Sequence, residues 1–158
     1  MSISRRTFLE AARLSSLAAE RLVGAGVKVP ARILGKTGVQ VSILAFGGGS
    51  RFLQHDDRTA VEAVSKALDL GAICIDTAQQ YGSGLSERRM GKALEGRRAQ
   101  VFLATTIADR DGAQTERRVE ASLEALRTDP LDLVHIHTLL DAADLTVIEA
   151  KGGVLEKC

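Results

Sequence analysis

The chain has 158 residues, enough for one domain with a proper core. Lys and Arg total 21 against 20 Asp and Glu, and a formal charge of +1 gives no electrostatic reason to expect nucleic acid or an anionic membrane as partner. With 45% hydrophobic residues the chain is not of a disordered composition; with 3% aromatic and no Trp its core must be built from Ala, Leu, Val and Ile.

The stretch Ser4-Arg5-Arg6-Thr7-Phe8-Leu9-Glu10 is similar to a twin-arginine export motif. An export signal also needs an unbroken apolar segment of about 7–15 residues, and Arg13, Glu20 and Arg21 interrupt this one. Phe8, Ala11, Ala12, Ala18, Ala19 and Leu22 fall near one helical face, so residues 1–30 read equally as a leader or as an amphipathic extension. The protein is then cytoplasmic, or periplasmic if the paired arginines direct export. No stretch approaches the ~20 apolar residues of a membrane span. Pro30, following Gly24 and Gly26, marks the start of the globular part at residues 31–158.

Arg32 to Val41 places turn residues between two extended pieces and predicts a hairpin. Apolar strand candidates then begin near Val41, Ala72, Val101 and Leu131, a rhythm of about thirty residues, which is one βα unit. Helical patterns lie between them. Ala60, Ala63, Val64, Ala67 and Leu68 form the first stripe, with Thr59 and Glu62 as a capping box and Gly71 as its stop. The second helix runs from about Ser86 to Glu95, where Ser86-Glu87-Arg88-Arg89 reads as a helix start with an acid suited to the dipole. The third carries Val119, Leu123 and Leu126 and ends before Asp129-Pro130. All three read as surface helices over a parallel sheet, because Ala72 to Ile75 and Val101 to Ala104 are apolar on consecutive residues.

The fold class is therefore α/β: about four βα units preceded by a β-hairpin, the pattern of a truncated (β/α)8 TIM barrel, whose usual length is about 250 residues. An open four-stranded parallel sheet is the rival architecture. A half-barrel would leave two unpaired edges and expose side chains meant for the interior, so self-association is expected.

In such a barrel the polar residues at the carboxyl ends of the strands converge on one face. Those ends carry Gly47-Gly48-Gly49, Asp76, Thr105-Thr106 and His137. Asp76 closes an apolar run, and Tyr81 follows five residues later on a glycine-bearing loop. The whole pattern, Ile75-Asp76-Thr77-Ala78 through Tyr81-Gly82 to Ser86-Glu87 and Gly91, resembles the signature of the aldo-keto reductases; Arg32 to Ser42 resembles that family's opening hairpin. The resemblance covers the first half of the family's order, from about Ala31 to Cys158.

It implies NADPH-dependent reduction of a small-molecule carbonyl, with Tyr81 as proton donor, Asp76 as the carboxylate of the network and His137 as the residue orienting the substrate. It also implies that Gly48 and Gly49, with Asp76, meet the nicotinamide end of the cofactor; flexible loop chemistry is the other reading of these glycines. One position departs from the pattern. Where the family has the lysine that pairs with the aspartate, this chain has Thr106, and a hydroxyl cannot replace a charge. Impaired reduction is the expectation, with a catalytically inactive fragment or binding module as the alternative. An exported protein that merely borrows the fold is a third reading.

The remaining residues point to less. His135 and His137 lie two apart on a strand and share a side, but no third ligand for a metal is evident. His55 reads as a solvated loop residue. Cys74 reads as a small buried hydrophobe, and with Cys158 at the last position it makes neither a disulfide framework nor a metal cluster.

Overall fold

A computed structural model describes residues 28–156 of the chain. The leader, apart from its last three residues, and Cys158 therefore lie outside the described residues. The folded body takes up the chain by Val29, whose N–H donates to the Leu70 carbonyl (2.7 Å), two residues ahead of the expected start.

Two short strands, β1 (Ala31–Ile33) and β2 (Gln40–Ser42), pair antiparallel with Arg32 opposite Val41, as the turn residues between them require. Gly35 and Gly38, both at positive φ, let the chain reverse. Val41 thus belongs to the hairpin, and the first parallel strand is β3 (Ala45–Gly47), later than the apolar pattern suggests. Ser42 explains the break. Its buried hydroxyl donates to the Leu44 carbonyl (2.6 Å) and accepts from the Cys74 N–H (2.9 Å), so it turns the chain and ties the hairpin to the sheet.

The sheet runs β3, β4 (Cys74–Asp76), β5 (Phe102–Ile107), β6 (Leu133–Ile136), every neighbour parallel and in chain order. Between and after the strands lie α1 (Ser50–Leu53), α2 (Asp57–Asp69), α3 (Leu85–Ala93), α4 (Gly112–Leu126) and α5 (Ala142–Glu149). This is an α/β fold of four βα units behind a hairpin, with the strand order of half a (β/α)8 barrel. Among the described residues β3 and β6 each have one side without a strand partner.

The starts of α2, α4 and α5 are set by acids one residue outside each helix. Asp56 accepts from the Thr59 N–H (2.9 Å), so α2 begins earlier than a Thr59–Glu62 box would place it and Thr59 sits in its first turn. Asp111 and Asp141 do the same for α4 and α5. α3 has no side-chain cap; it follows Gly84 in the left-handed region and ends at Ala93, short of Glu95.

Register separates the two faces of the sheet. Ile75 and Leu103 are opposite each other and buried, and they pack with Ala60, Val64 and Leu68 of α2, Met90 of α3 and Leu126 of α4. Each of these side chains larger than alanine contributes roughly 1.5–3 kcal/mol by leaving water. A second cluster joins Ile107, Ile148 and Val154. The other face carries Ala45, Gly47, Cys74, Asp76, Phe102, Ala104, Thr106, Leu133 and His135, because paired residues share a side. Ala45, Gly47, Leu133 and His135 are exposed there. Cys74 stands on this face half-buried beside Asp76 rather than in the core, and burial together with that carboxylate pushes its thiol upward.

α3 is not a surface helix. Ser86, Glu87, Arg89, Met90, Gly91 and Ala93 are all buried. Ser86 and Thr77 share a hydrogen bond (2.8 Å), and Glu87 accepts one from Thr105 Oγ1 (2.7 Å) while its Oε2 has no donor among the described residues. Arg89 donates to Asp57 Oδ1 (2.8 Å) and to the carbonyls of Phe52 (3.1 Å) and His55 (2.7 Å), fastening the chain before and at the start of α2. His55 is exposed, as expected, and serves through its carbonyl. At Gly91 a Cβ would stand 2.7 Å from the Ala125 carbonyl oxygen and 2.8 Å from the Leu126 carbonyl, so α3 and α4 meet backbone to backbone there. Among the described residues no helix is long and apolar enough to cross a membrane, and no three of His, Cys, Asp and Glu are grouped to hold a metal.

Candidate active site

The candidate residues gather at the carboxyl rim because all four strands end there. Asp76 is the last residue of β4, and its carbonyl accepts from the Gly48 N–H (2.8 Å), which ties the glycine run after β3 to the next strand. Beyond Asp76 the chain is laced to β5: the Thr77 N–H donates to the Ala104 carbonyl (3.0 Å) and the Gln79 N–H to the Thr106 carbonyl (3.3 Å). The Gln80 amide, oriented to satisfy both neighbours, donates to the same Thr106 carbonyl (3.3 Å) and accepts from the Ala108 N–H (3.0 Å). Gly82, Ser83 and Gly84 then take positive φ in succession and return the chain into α3. Gly82 is at φ 64°, a conformation that favours glycine, and a Cβ there would also crowd the end of the Leu53 side chain.

This loop presents Tyr81 to β6. The Tyr81 ring meets the His137 ring edge-on, centroids 6.5 Å apart and planes at 81°. His137 is itself held: its N–H donates to the Ile107 carbonyl (2.7 Å), and its Nδ1 shares a hydrogen bond with Thr138 Oγ1 (2.7 Å). Arg110 donates to the carbonyls of His137 (2.9 Å) and Thr138 (2.8 Å) and pairs with Asp144 (3.4 Å). That clamp is absent from the sequence reading. The charged run Asp109-Arg110-Asp111 at the end of β5 is the only local signal for it, and its partners lie some thirty residues away.

Asp76 faces the open side of the sheet, and burial raises its carboxyl above the ordinary value, with His135 pulling the other way. Among the described residues it makes no salt bridge with Lys or Arg. Thr106 shares its face of the sheet one row further along β5, buried, in register with His135 of β6.

The glycines divide. At Gly47 and Gly49 the space where a side chain would stand is open, so the bare backbone can be approached closely. At Gly48 a Cβ would fall on Ser86 Oγ and crowd Met90 Cε (3.0 Å) and Thr77 Oγ1 (3.1 Å). Gly48 is therefore a packing glycine, whatever else it does. A cavity of about 430 Å³ opens between α3 and α4, away from the rim; its Arg89 and Lys92 are already paired with Asp57.

The carboxyl ends of the parallel strands thus carry a carboxylate at Asp76, a phenol at Tyr81 on the loop that follows, and an imidazole at His137 against that phenol. Residues 44–158 match the model of the Aldo/keto reductase family, and the chain belongs to that family. It is 38% identical over 117 residues to the aldo-keto reductase YhdN of Bacillus subtilis, covering 64% of this chain and 35% of that protein. To the methylglyoxal reductase YeaE of Escherichia coli it is 37% identical over 102 residues, 61% of this chain and 36% of that protein. Among solved structures, the holo form of aldo-keto reductase AKR11C1 from Bacillus halodurans superposes with a TM-score of 0.67 at 34% identity, over 77% of this chain and 44% of the other. An aldo/keto reductase from Klebsiella pneumoniae in complex with NADP and acetate gives 0.63 at 27% identity, over 78% and 45%. The chain thus spans 35% to 42% of the length of the curated relatives it matches.

Proposed function

We propose that the chain reduces a small carbonyl compound with NADPH, with Tyr81 as the acid, and that Thr106 makes it a weak catalyst. The observation that carries this reading is the edge-on meeting of Tyr81 and His137 at the carboxyl rim. NADPH, when bound, supplies the hydride that the carbonyl carbon accepts. Open space at Gly47 and Gly49 suits a cofactor lying against backbone, and these two residues, more than Gly48, would hold it.

Tyr81 gives its phenolic proton to the carbonyl oxygen as that oxygen gains negative charge, and His137 keeps the oxygen within reach. Asp76 sets the field around the phenol. An ordinary phenol, with a pKa near 10, is a reluctant donor at neutral pH, and a neighbouring cation would ease the loss of its proton. Thr106 cannot provide one. That same residue supports the second reading, a binding module without turnover.

Purified full chain, NADPH and short aldehydes or dicarbonyls, followed by loss of nicotinamide absorbance, tests the proposal. Slow oxidation that falls by about 10²-fold or more in Tyr81→Phe is the expected result. Turnover unchanged in Tyr81→Phe would reject Tyr81 as the acid, and no saturable NADPH binding would leave the module reading.

A further inference from the structure

On the open face of the sheet three adjacent strands carry a carboxylate, a hydroxyl and an imidazole: Asp76 on β4, Thr106 on β5 and His135 on β6. Asp76 is in register with Ala104, Thr106 lies two residues beyond Ala104, and His135 is directly opposite Thr106. All three side chains therefore rise from the same side of the sheet, with the short Thr106 between the carboxylate and the imidazole. His135 is exposed on that face, whereas the residues flanking it, Val134 and Ile136, pack toward the helices.

We infer that His135, reaching across Thr106, is the charge partner of Asp76, a positioning residue that is cationic only when its imidazole is protonated. The inference rests on the proposed role of Asp76 in the reductase site for its functional meaning, but the pairing itself needs no cofactor.

Among the described residues the surroundings leave few competitors. β3 contributes Ala45 and Gly47 to this face, β5 contributes Phe102, Ala104 and Thr106, and none of these ionises. β4 adds the Cys74 thiol, which Asp76 itself makes harder to ionise. His137 and Tyr81 stand at the rim against each other. Register puts His135 on the face that Asp76 shares, one strand beyond Thr106, where a cationic imidazole would pull the carboxyl downward against the upward push of burial. The two side chains are not within salt-bridge distance, so the coupling acts through the field and not through a direct bond. A lysine would hold its charge throughout the physiological range; an imidazole ordinarily loses its charge near pH 6.5. Asp76 is then charge-compensated only where the imidazole carries its proton. Any proton donation by Tyr81 gains from the pair only on the acid side.

The test follows the Asp76 carboxyl carbon by NMR in the full chain labelled at aspartate, assigned with Asp76→Asn, from pH 3 to 8. His135→Ala, or the closer isostere His135→Gln where Ala impairs folding, should raise the Asp76 midpoint by about 0.3 pH unit, a twofold gain in proton affinity. His135→Lys should bring it back to the wild-type value or below. His55→Ala, a loop histidine away from the face, should leave it unchanged. A midpoint that does not move in His135→Gln, or moves equally in Gln and Lys variants, overturns the inference. Because no NADPH is added, a chain that fails to bind NADPH would defeat the reductase reading and leave this result standing.

Discussion

Gly48 and Gly49 look alike in sequence, but substitution should separate them. Alanine at 48 places a methyl on Ser86 Oγ and within 3.0 Å of Met90 Cε, in a region where Ser86, Thr77 and Met90 are fully buried. Ser86 can escape only by rotating away from Thr77, which breaks their 2.8 Å hydrogen bond and leaves both hydroxyls without that partner. An unsatisfied buried hydroxyl costs about 1–3 kcal/mol and crowding of Met90 adds to it, so Gly48→Ala should destabilise the chain by about 2–3 kcal/mol. Gly49 has extended backbone and open space, so Gly49→Ala should change stability by no more than about 0.5 kcal/mol. Urea unfolding measured by far-ultraviolet circular dichroism gives both numbers, and NADPH titration gives the complementary one: weakened by Gly49→Ala, if the cofactor lies against that backbone. Ser86→Ala in the Gly48→Ala background should recover part of the lost stability. Equal unfolding midpoints for the two alanine variants would refute the division.

Three further outcomes follow from the same geometry. Gly91→Ala puts a methyl 2.7 Å from the Ala125 carbonyl oxygen, where only movement of α3 or α4 can relieve it; a net loss of about 1–2 kcal/mol in urea unfolding is expected despite alanine's better helix propensity. Asp76→Asn should stabilise the chain at neutral pH. The folded carboxyl titrates above the ordinary value near 3.9, so the protonated form is favoured by folding; that contribution is full below the unfolded value and is lost as pH rises through the folded one. The gain in melting temperature for Asn should therefore appear at pH 7 and vanish near pH 3, and a variant less stable than wild type at pH 7 would contradict it. Finally, the edges of β3 and β6 that have no strand partner among the described residues, with Leu133 exposed on β6, should make the chain self-associate. Light scattering should show mass rising with concentration, and a constant monomer mass would count against this.

The order of elements that carries the candidate residues was legible because it depends on local windows. An apolar run delivering Asp76 at its carboxyl end, a glycine-bearing loop after it, and a βα rhythm of about thirty residues are each encoded within a short window, though the strand itself starts at Cys74 and not at Ala72. What was not legible depends on pairs distant in the chain. Glu87 and Arg89 look like surface charges on an exposed first turn, yet Thr105 and the residues around Asp57 bury them from across the structure. The first parallel strand begins at Ala45 instead of near Val41 because the Ser42 hydroxyl bridges two elements, and periodicity carries no trace of such a bond. Gly48 reads as loop chemistry or as a cofactor contact, and its packing role shows only with the Thr77–Ser86 pair beneath it.

The reading of Tyr81 as an acid short of one cation is tested most directly by supplying that cation. Thr106→Lys places an ammonium on the same face as Asp76, one row from it on the adjoining strand. NADPH-dependent aldehyde reduction by Thr106→Lys should exceed that of the unaltered chain by about tenfold or more, and Thr106→Lys with Tyr81→Phe should lose the gain. A gain that survives Tyr81→Phe, or no gain in a folded Thr106→Lys chain that still binds NADPH, would contradict it.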